Sequence, residues 1–136
     1  MRDPGEPSSD EPAKTYRPDV SSPHDKSAVV AAVLASLDAG EPPERVALRD
    51  AVRALLAGLA AKVPGRSVEV RVPPYGAIQC VEGPRHTRGT PPNVVEMDPE
   101  TWVRLATGRL SWDEAITQGR LRISGNRADI SNYIPI

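Results

Sequence analysis

The spacing of the apolar residues changes at Ser67, and this change limits the fold more than any other feature of the chain. Before Ser67, apolar residues recur every three to four positions, as on one side of a helix. After it, they alternate with polar residues, as in a strand that buries one face. The first half therefore predicts helices, and the second half predicts a sheet with shorter helices near its end.

Two long helices are predicted before this change. The first begins near Asp25 or Ser27, either of which can cap a helix, and it ends at Gly40. The second begins at Pro43, which suits a first helical turn, and runs to about Lys62. Each has an apolar stripe typical of an amphipathic helix packed on a core. The stripes are Val29, Val30, Val33, Leu34 and Leu37, then Val46, Val52, Leu55, Leu56 and Leu59.

Residues 1–26 differ from the rest of the chain in composition. They hold five prolines, ten charged side chains and almost no aliphatic ones. Such a segment cannot bury enough apolar surface to offset the entropy lost on ordering, so we expect a disordered tail. A single domain is then expected over residues 27–136. A docking role for the tail lacks the support of a clear PxxP repeat.

Short strands and short helices are predicted after Ser67. The strands lie near residues 67–72, 78–80, 93–97 and 121–123, and residues 83–92 form a loop by composition. Asp98 is placed to cap a helix that ends at Gly108. Ser111 and Glu114 have the spacing of a capping box, which opens the next helix. A last short helix is expected near residues 130–134.

The segment Thr107 to Asn126 reads TGRLSWDEAITQGRLRISGN, and it resembles the sterol carrier protein (SCP2-like) family. The residues that carry the resemblance are Thr107-Gly108, Ala115, Gln118-Gly119, Leu121, Ile123 and Gly125-Asn126, with basic residues at Arg109, Arg120 and Arg122. The resemblance is strong over residues 93–126 and extends as an order of elements from about Val46. The whole chain looks like the compact bacterial branch, in which the domain stands alone.

The resemblance implies an α+β fold of SCP2-like type, in the order α-α-β-β-(β)-β-α-α-β-α. A mixed or antiparallel sheet of four to five strands would be covered on one face by helices. The bracketed strand would fall within residues 83–92. It also implies a non-enzymatic carrier of a fatty acid, acyl-CoA, phospholipid or sterol-like ligand, held between the sheet and the helices. Residues 130–136 would form a short lid.

The apolar side chains expected to face that cavity come from the strands, the short helices and the end of the chain. They are Val70, Val72, Ile78, Cys80, Val95, Met97, Trp102, Leu105, Trp112, Ile116, Leu121, Ile123, Ile130 and Tyr133. An empty cavity of about 400 Å³ would cost roughly 10 kcal/mol, comparable with the stability of a whole domain. We therefore expect that either Trp102 and Trp112 fill the space or an apolar ligand does.

The loop over residues 83–92 holds a cluster of hydrogen-bond donors. Arg85, His86 and Arg88 are candidates for binding a ligand's carboxylate or phosphate head group, since arginine pairs suit such anions. The alternative is a solvated loop or a salt-bridge cluster with Glu82 or Glu96.

Other functions find little support in the sequence. The net charge is −1 and aromatic residues make up 4%, so no nucleic-acid partner is expected. No nucleotide-binding or hydrolase motif is present, and Cys80 is the one cysteine, so we expect no cofactor, no metal and no enzyme activity. A thiolate pair of Cys80 and His86 is the catalytic alternative, against a buried Cys80 and a solvated His86.

The cellular expectation is a cytoplasmic protein. The N-terminal residues lack the apolar segment of a secretory signal, and no apolar run is long enough to cross a bilayer. Three functions remain open: a carrier of an apolar ligand, a ligand-free protein-interaction module, and an accessory domain of an enzyme. The third follows from the resemblance, since such domains occur fused to thiol-dependent isomerases and to acetyltransferases.

Overall fold

The computed structural model describes residues 23–83 and 93–136, so residues 1–22 of the tail expected over residues 1–26, and most of the loop at 83–92, lie outside it. The elements are α1 (Pro23–Asp38), α2 (Arg45–Lys62), β1 (Val68–Val72), β2 (Gly76–Cys80), β3 (Asn93–Glu96), α3 (Pro99–Ala106), α4 (Trp112–Thr117), β4 (Arg122–Ser124) and a 3-10 helix (Ser131–Tyr133). This order confirms the predicted α+β fold. Helix α1 begins at Pro23, earlier than expected, because proline is well suited to a first helical turn.

The four described strands form one mixed sheet in the order β2-β1-β3-β4. β1 pairs antiparallel with β2 and parallel with β3, while β3 pairs antiparallel with β4. Val70 lies opposite both Ile78 and Val95, and Val95 lies opposite Ile123. Since paired residues point to the same face, these four residues form one row across the sheet.

The core lies between this sheet and the helices. Helix α2 packs against β2, α1 and α3. Trp102 of α3 is fully buried, and its indole Nε1 donates a hydrogen bond to the Val52 carbonyl oxygen at 3.3 Å. The indole therefore fills space in the core and also joins α3 to α2.

The two short helices begin as their local sequence predicts. The Asp98 side chain accepts a hydrogen bond from the backbone N–H of Thr101. The Ser111 hydroxyl accepts from the Glu114 N–H at 3.1 Å, and the Glu114 carboxylate accepts from the Ser111 N–H at 3.2 Å. These hydrogen bonds with Ser111 lower the pKa of the Glu114 carboxyl group. The capping box is thus confirmed.

Helix α2 connects to the sheet through a tight junction at Gly65. A Cβ at this position would lie 2.1 Å from the carbonyl carbon of Val81, so no other residue fits without moving the backbone. Val81 itself has a positive φ of 66°, an uncommon conformation for a β-branched residue. Its N–H donates to the Val63 carbonyl, and its own carbonyl accepts from Ser67 N. The end of α2 is therefore fastened directly to the hairpin of β1 and β2.

Asn93, at the start of β3, makes a second buried connection that the sequence pattern did not reveal. Its side-chain Nδ2 donates to the Ser67 carbonyl at 2.9 Å, and its Oδ1 accepts from the Arg127 N–H at 2.9 Å. One buried amide thus joins β1 and β3 to the segment after β4.

Ile116 and Ile123 are not buried, in contrast to the expectation that they lie in the interior with the core residues. Ile116 is 49% exposed and Ile123 is 43% exposed. Ile123 shares a sheet face with the buried Val95, but it lies on the edge strand β4. Helix α2 packs on β2, at the opposite edge of the sheet, so it does not cover β4. Position in the sheet, rather than the apolar alternation, therefore decides the burial of Ile123.

Candidate functional site

The residues predicted to line a cavity between sheet and helices fall into three groups. Most are buried together in the core: Val70, Val72, Cys80, Val95, Met97, Trp102, Leu105, Trp112 and Ile130. Three are half-buried and pack against that core, namely Ile78, Leu121 and Tyr133. The structure does not bring Ile116 and Ile123 into the core. A ligand-binding role for all of these residues remains a prediction.

The two tryptophans lie within this interior. Trp102 is 0% exposed and Trp112 is 7% exposed, and both belong to the same apolar cluster as the buried strand residues. Of the two expected ways to avoid an empty cavity, filling by the protein's own side chains is the one that this packing supports.

A different apolar space opens between the helices, and we call it the helical cleft. Its volume is about 590 Å³, which lies within the range of small-molecule sites. Its lining consists of Lys26, Ser27, Val30, Ala31, Leu34, Ala54, Leu55, Ala106, Thr107, Pro135 and Ile136. These residues come from α1, α2, the end of α3 and the last residues of the chain, with no contribution from the sheet. Lys26 carries the only charged side chain in this lining.

One wall of the helical cleft is the segment 133–136, which we call the C-terminal strap. The Lys62 ammonium at the end of α2 donates to the Tyr133 carbonyl oxygen at 3.0 Å and to that of Pro135 at 3.2 Å. An ammonium group has three donors, so two of them hold the strap on α2.

The end of the strap is held between α2 and α3. Ile136 N donates to the Ala106 carbonyl oxygen at 2.9 Å. On α2, a Cβ added to Gly58 would lie 3.3 Å from Ile136 Cγ2, so the absence of a side chain lets the strap approach closely. The strap is thus fixed by its backbone, while Ile136 remains 40% exposed at the cleft.

A second, smaller space lies beside α4, and we call it the α4 cleft. Its volume is about 370 Å³, and its lining includes Ser111, Trp112, Asp113 and Glu114. Pro135 lines both clefts, so the strap separates them. The helical cleft therefore has a cation in its lining, whereas the α4 cleft has two carboxylates.

The catalytic candidate Cys80 receives little support from its surroundings. Burial raises the pKa of the Cys80 thiol to about 11, which keeps it protonated and poorly nucleophilic at neutral pH. The head-group candidates Arg85, His86 and Arg88 lie outside the described residues. Over residues 23–83 and 93–136, no group of three or more His, Cys, Asp or Glu side chains could hold a metal ion.

Asp50 on α2 is a buried carboxylate that the sequence pattern did not single out. One oxygen accepts from the Arg49 Nε at 3.1 Å, whereas Oδ2 has no hydrogen-bond partner in the described part of the chain. Asp50 lines neither of the two clefts. It therefore stays outside the candidate site.

Comparison with known proteins places residues 44–136 in one family. The family model that matches them is described as bacterial SCP ortholog, and the match covers more than half of the chain. No curated protein matches the sequence. Helix α1, which forms one side of the helical cleft, precedes the matched residues. None of the described helices has the length and apolar character needed to cross a membrane.

Proposed function

This chain belongs to the bacterial SCP ortholog family, and we propose that it is a non-enzymatic carrier of an apolar ligand. The ligand classes that the resemblance implies are a fatty acid, an acyl-CoA, a phospholipid or a sterol-like molecule. The proposal rests on the family and on one observation, the helical cleft. Because the interior holds its own side chains, we place the ligand in this cleft rather than between the sheet and the helices.

The lining of the helical cleft suits an acyl chain. Val30 and Leu55 are half-buried, so they offer apolar surface that is only partly covered, whereas Leu34 is buried in the core. Each methylene group that the cleft shields from water contributes about 0.8 kcal/mol, and the cost of association is subtracted from the sum. The remainder corresponds to reversible binding of the kind that a carrier requires.

Native mass spectrometry of the purified full chain, followed by organic extraction, tests this function. We expect one lipid per chain, either retained through purification or gained on incubation with fatty acid, acyl-CoA or sterol. An unchanged mass after incubation with all three would overturn the proposal.

Two matched substitutions on α1 test the location of the ligand. Ala31 lines the helical cleft and is exposed, whereas its exposed neighbour Ala32 is not part of the lining. Ala31→Trp should place an indole in the cleft and exclude about two methylene groups of the ligand from it. This loss should lower the lipid affinity by roughly tenfold. Ala32→Trp adds the same side chain beside the cleft and should leave binding unchanged. Equal binding by the two variants would exclude the cleft as the site.

A ligand-free protein-interaction or enzyme-accessory module is the second candidate. The observation that favours it is the closed interior around Trp102, together with exposed alanines along α1 that suit packing by another protein. This candidate predicts a chain that binds no lipid and that co-purifies with the product of a neighbouring enzyme gene.

A further inference from the structure

We propose that two copies of this chain associate edge to edge through β4, with Ile123 of one copy opposite the partner's Ile123. The two four-stranded sheets then form one continuous sheet across a two-fold axis. This association uses the edge of the sheet rather than the helical cleft, so it is independent of the proposed carrier function.

Strand β4 ends the sheet on one side. Among the strands that the structure describes, the order is β2-β1-β3-β4, so β4 pairs only with β3. Residues 122–127 are all exposed, so no described helix or loop covers this edge. An uncovered edge presents backbone N–H and C=O groups that can pair with another strand.

The hydrogen bonds of the sheet show which backbone groups of β4 point outward. Met97 N donates to the Arg71 carbonyl oxygen at 3.0 Å, so Met97 and alternate residues before it bond β1. The residues between them face β4, where Glu96 pairs with Arg122. Ile123 follows Arg122, so its N–H and C=O point away from β3 and towards the open edge.

The side chain of Ile123 adds an apolar contact at the same place. It is 43% exposed, and it lies on the face of the sheet that carries Val95. A partner strand paired at this position brings a second isoleucine to the same face, about 5 Å away between Cβ atoms. The pairing therefore covers two large apolar side chains that a single copy leaves in water.

The charges of β4 are compatible with a two-fold axis at Ile123. In this register, Arg122 lies opposite the partner's Ser124, so no two like charges face each other directly. Arg122 also keeps the ion pair with Glu96 of its own chain, at 4.0 Å. The two exposed isoleucines pair on one face of the sheet while an arginine and a serine pair on the other.

Other registers are less favourable. A two-fold axis at Arg122 sets two guanidinium groups directly opposite each other, and an axis at Leu121 sets Arg122 opposite the partner's Arg120; like charges in such pairs are destabilising. An axis at Ser124 places Ile123 opposite the partner's Gly125 and loses the apolar pair. Because β4 complements itself best at Ile123, we assign the edge to a second copy, and the single two-fold axis closes the assembly at two.

The pairing surface is small. Strand β4 has three residues, whereas a stable interface holds about 20–30 residues a side. We therefore expect a reversible dimer that forms at protein concentrations on the order of 0.1–1 mM.

Sedimentation equilibrium of the full chain and two lysine variants tests the association. Ile123→Lys places two ammonium groups opposite each other at the axis and should weaken dimerisation by about tenfold or more. Gln79→Lys adds the same charge at an exposed position on β2, the opposite edge strand, and should leave dimerisation unchanged. Urea unfolding of dilute samples should give similar midpoints for the parent chain and Ile123→Lys, because Ile123 is exposed.

Cysteine variants test the register without introducing a charge. The Cα atoms of a hydrogen-bonded antiparallel pair lie about 5.5 Å apart, a distance that a disulfide spans. Ile123→Cys should therefore form covalent dimers with oxidised glutathione at least about tenfold faster than Gln79→Cys.

Three results would overturn the inference. The first is a parent chain that stays monomeric at about 1 mM, which would leave the β4 edge to an extended segment of another protein. The second is a dimer that Ile123→Lys and Gln79→Lys affect equally. The third is equal cross-linking of Ile123→Cys and Gln79→Cys.

Discussion

Two apolar regions of this protein are built from similar residue types but have different packing. Between the sheet and the helices, Trp102 and the buried valines of β1 fill the available space. Between α1 and α2, small residues such as Ala31 and Ala54 leave the helical cleft open. The comparison shows that side-chain size, rather than apolar character, determines where this protein leaves open space between its elements.

Among the substitutions that test this comparison, removal of the Trp102 side chain should give the largest loss in the free energy of unfolding. Trp102→Ala leaves a void in the interior and removes the hydrogen bond to the Val52 carbonyl, so it should lower the free energy of unfolding by about 3–5 kcal/mol. Urea unfolding measures this loss. Trp102→Phe, which keeps most of the volume, should lose clearly less. A loss below about 1 kcal/mol for the alanine variant would mean that Trp102 does not fill the interior.

Cys80 reports on the same interior through its pKa. With a thiol pKa of about 11 in place of the ordinary value of 9.0, the folded protein holds roughly a hundredfold less thiolate at pH 8, so alkylation by iodoacetamide should be correspondingly slower than in urea. The contribution of Cys80 to the free energy of unfolding is therefore complete below pH 9 and is lost as the pH rises towards 11. Equal alkylation rates in the folded and unfolded chain would contradict a closed interior.

Truncation of Ile116 should give the smallest change in the free energy of unfolding. It tests whether this residue lies outside the packed interior. Because Ile116 is 49% exposed, Ile116→Ala should change the free energy of unfolding by less than about 0.5 kcal/mol. The matched control is Ile130→Ala, which truncates a fully buried isoleucine and should cost about 2–5 kcal/mol. Thermal or urea unfolding compares the two. Similar losses for both variants would show that Ile116 is packed after all.

The sequence predicted the features that depend on neighbouring residues. The caps at Asp98 and Ser111 form because a side chain bonds the backbone only three residues away. The order of helices and strands follows from the apolar spacing for the same reason. The parallel pairing of β1 with β3 could not be read in this way, since it joins segments that are distant along the chain.

The candidate site was less predictable because it depends on how whole elements lie against one another. Ile123 alternates correctly for burial, yet it is exposed because β4 lies at the sheet edge away from α2. The helical cleft depends on the packing of α1 beside α2, and exposed alanines such as Ala31 show no pattern that distinguishes a cleft from bare surface. The role of Asn93 as a buried link was hidden for the same reason.

The junction at Gly65 has a mechanical consequence. The end of α2 contacts the β1–β2 hairpin directly, because Gly65 and Val81 leave no space between them. Helix α2 and the hairpin are therefore joined without a flexible link. Helix α1 is attached through the link 39–44, through side-chain packing, and through contacts of Arg104 with the Leu37 carbonyl oxygen and of Arg109 with Asp38. The strap is held by a few hydrogen bonds. Widening of the helical cleft would therefore require α1 or the strap to move relative to α2, so a cross-link from α1 to α2 would fix its width.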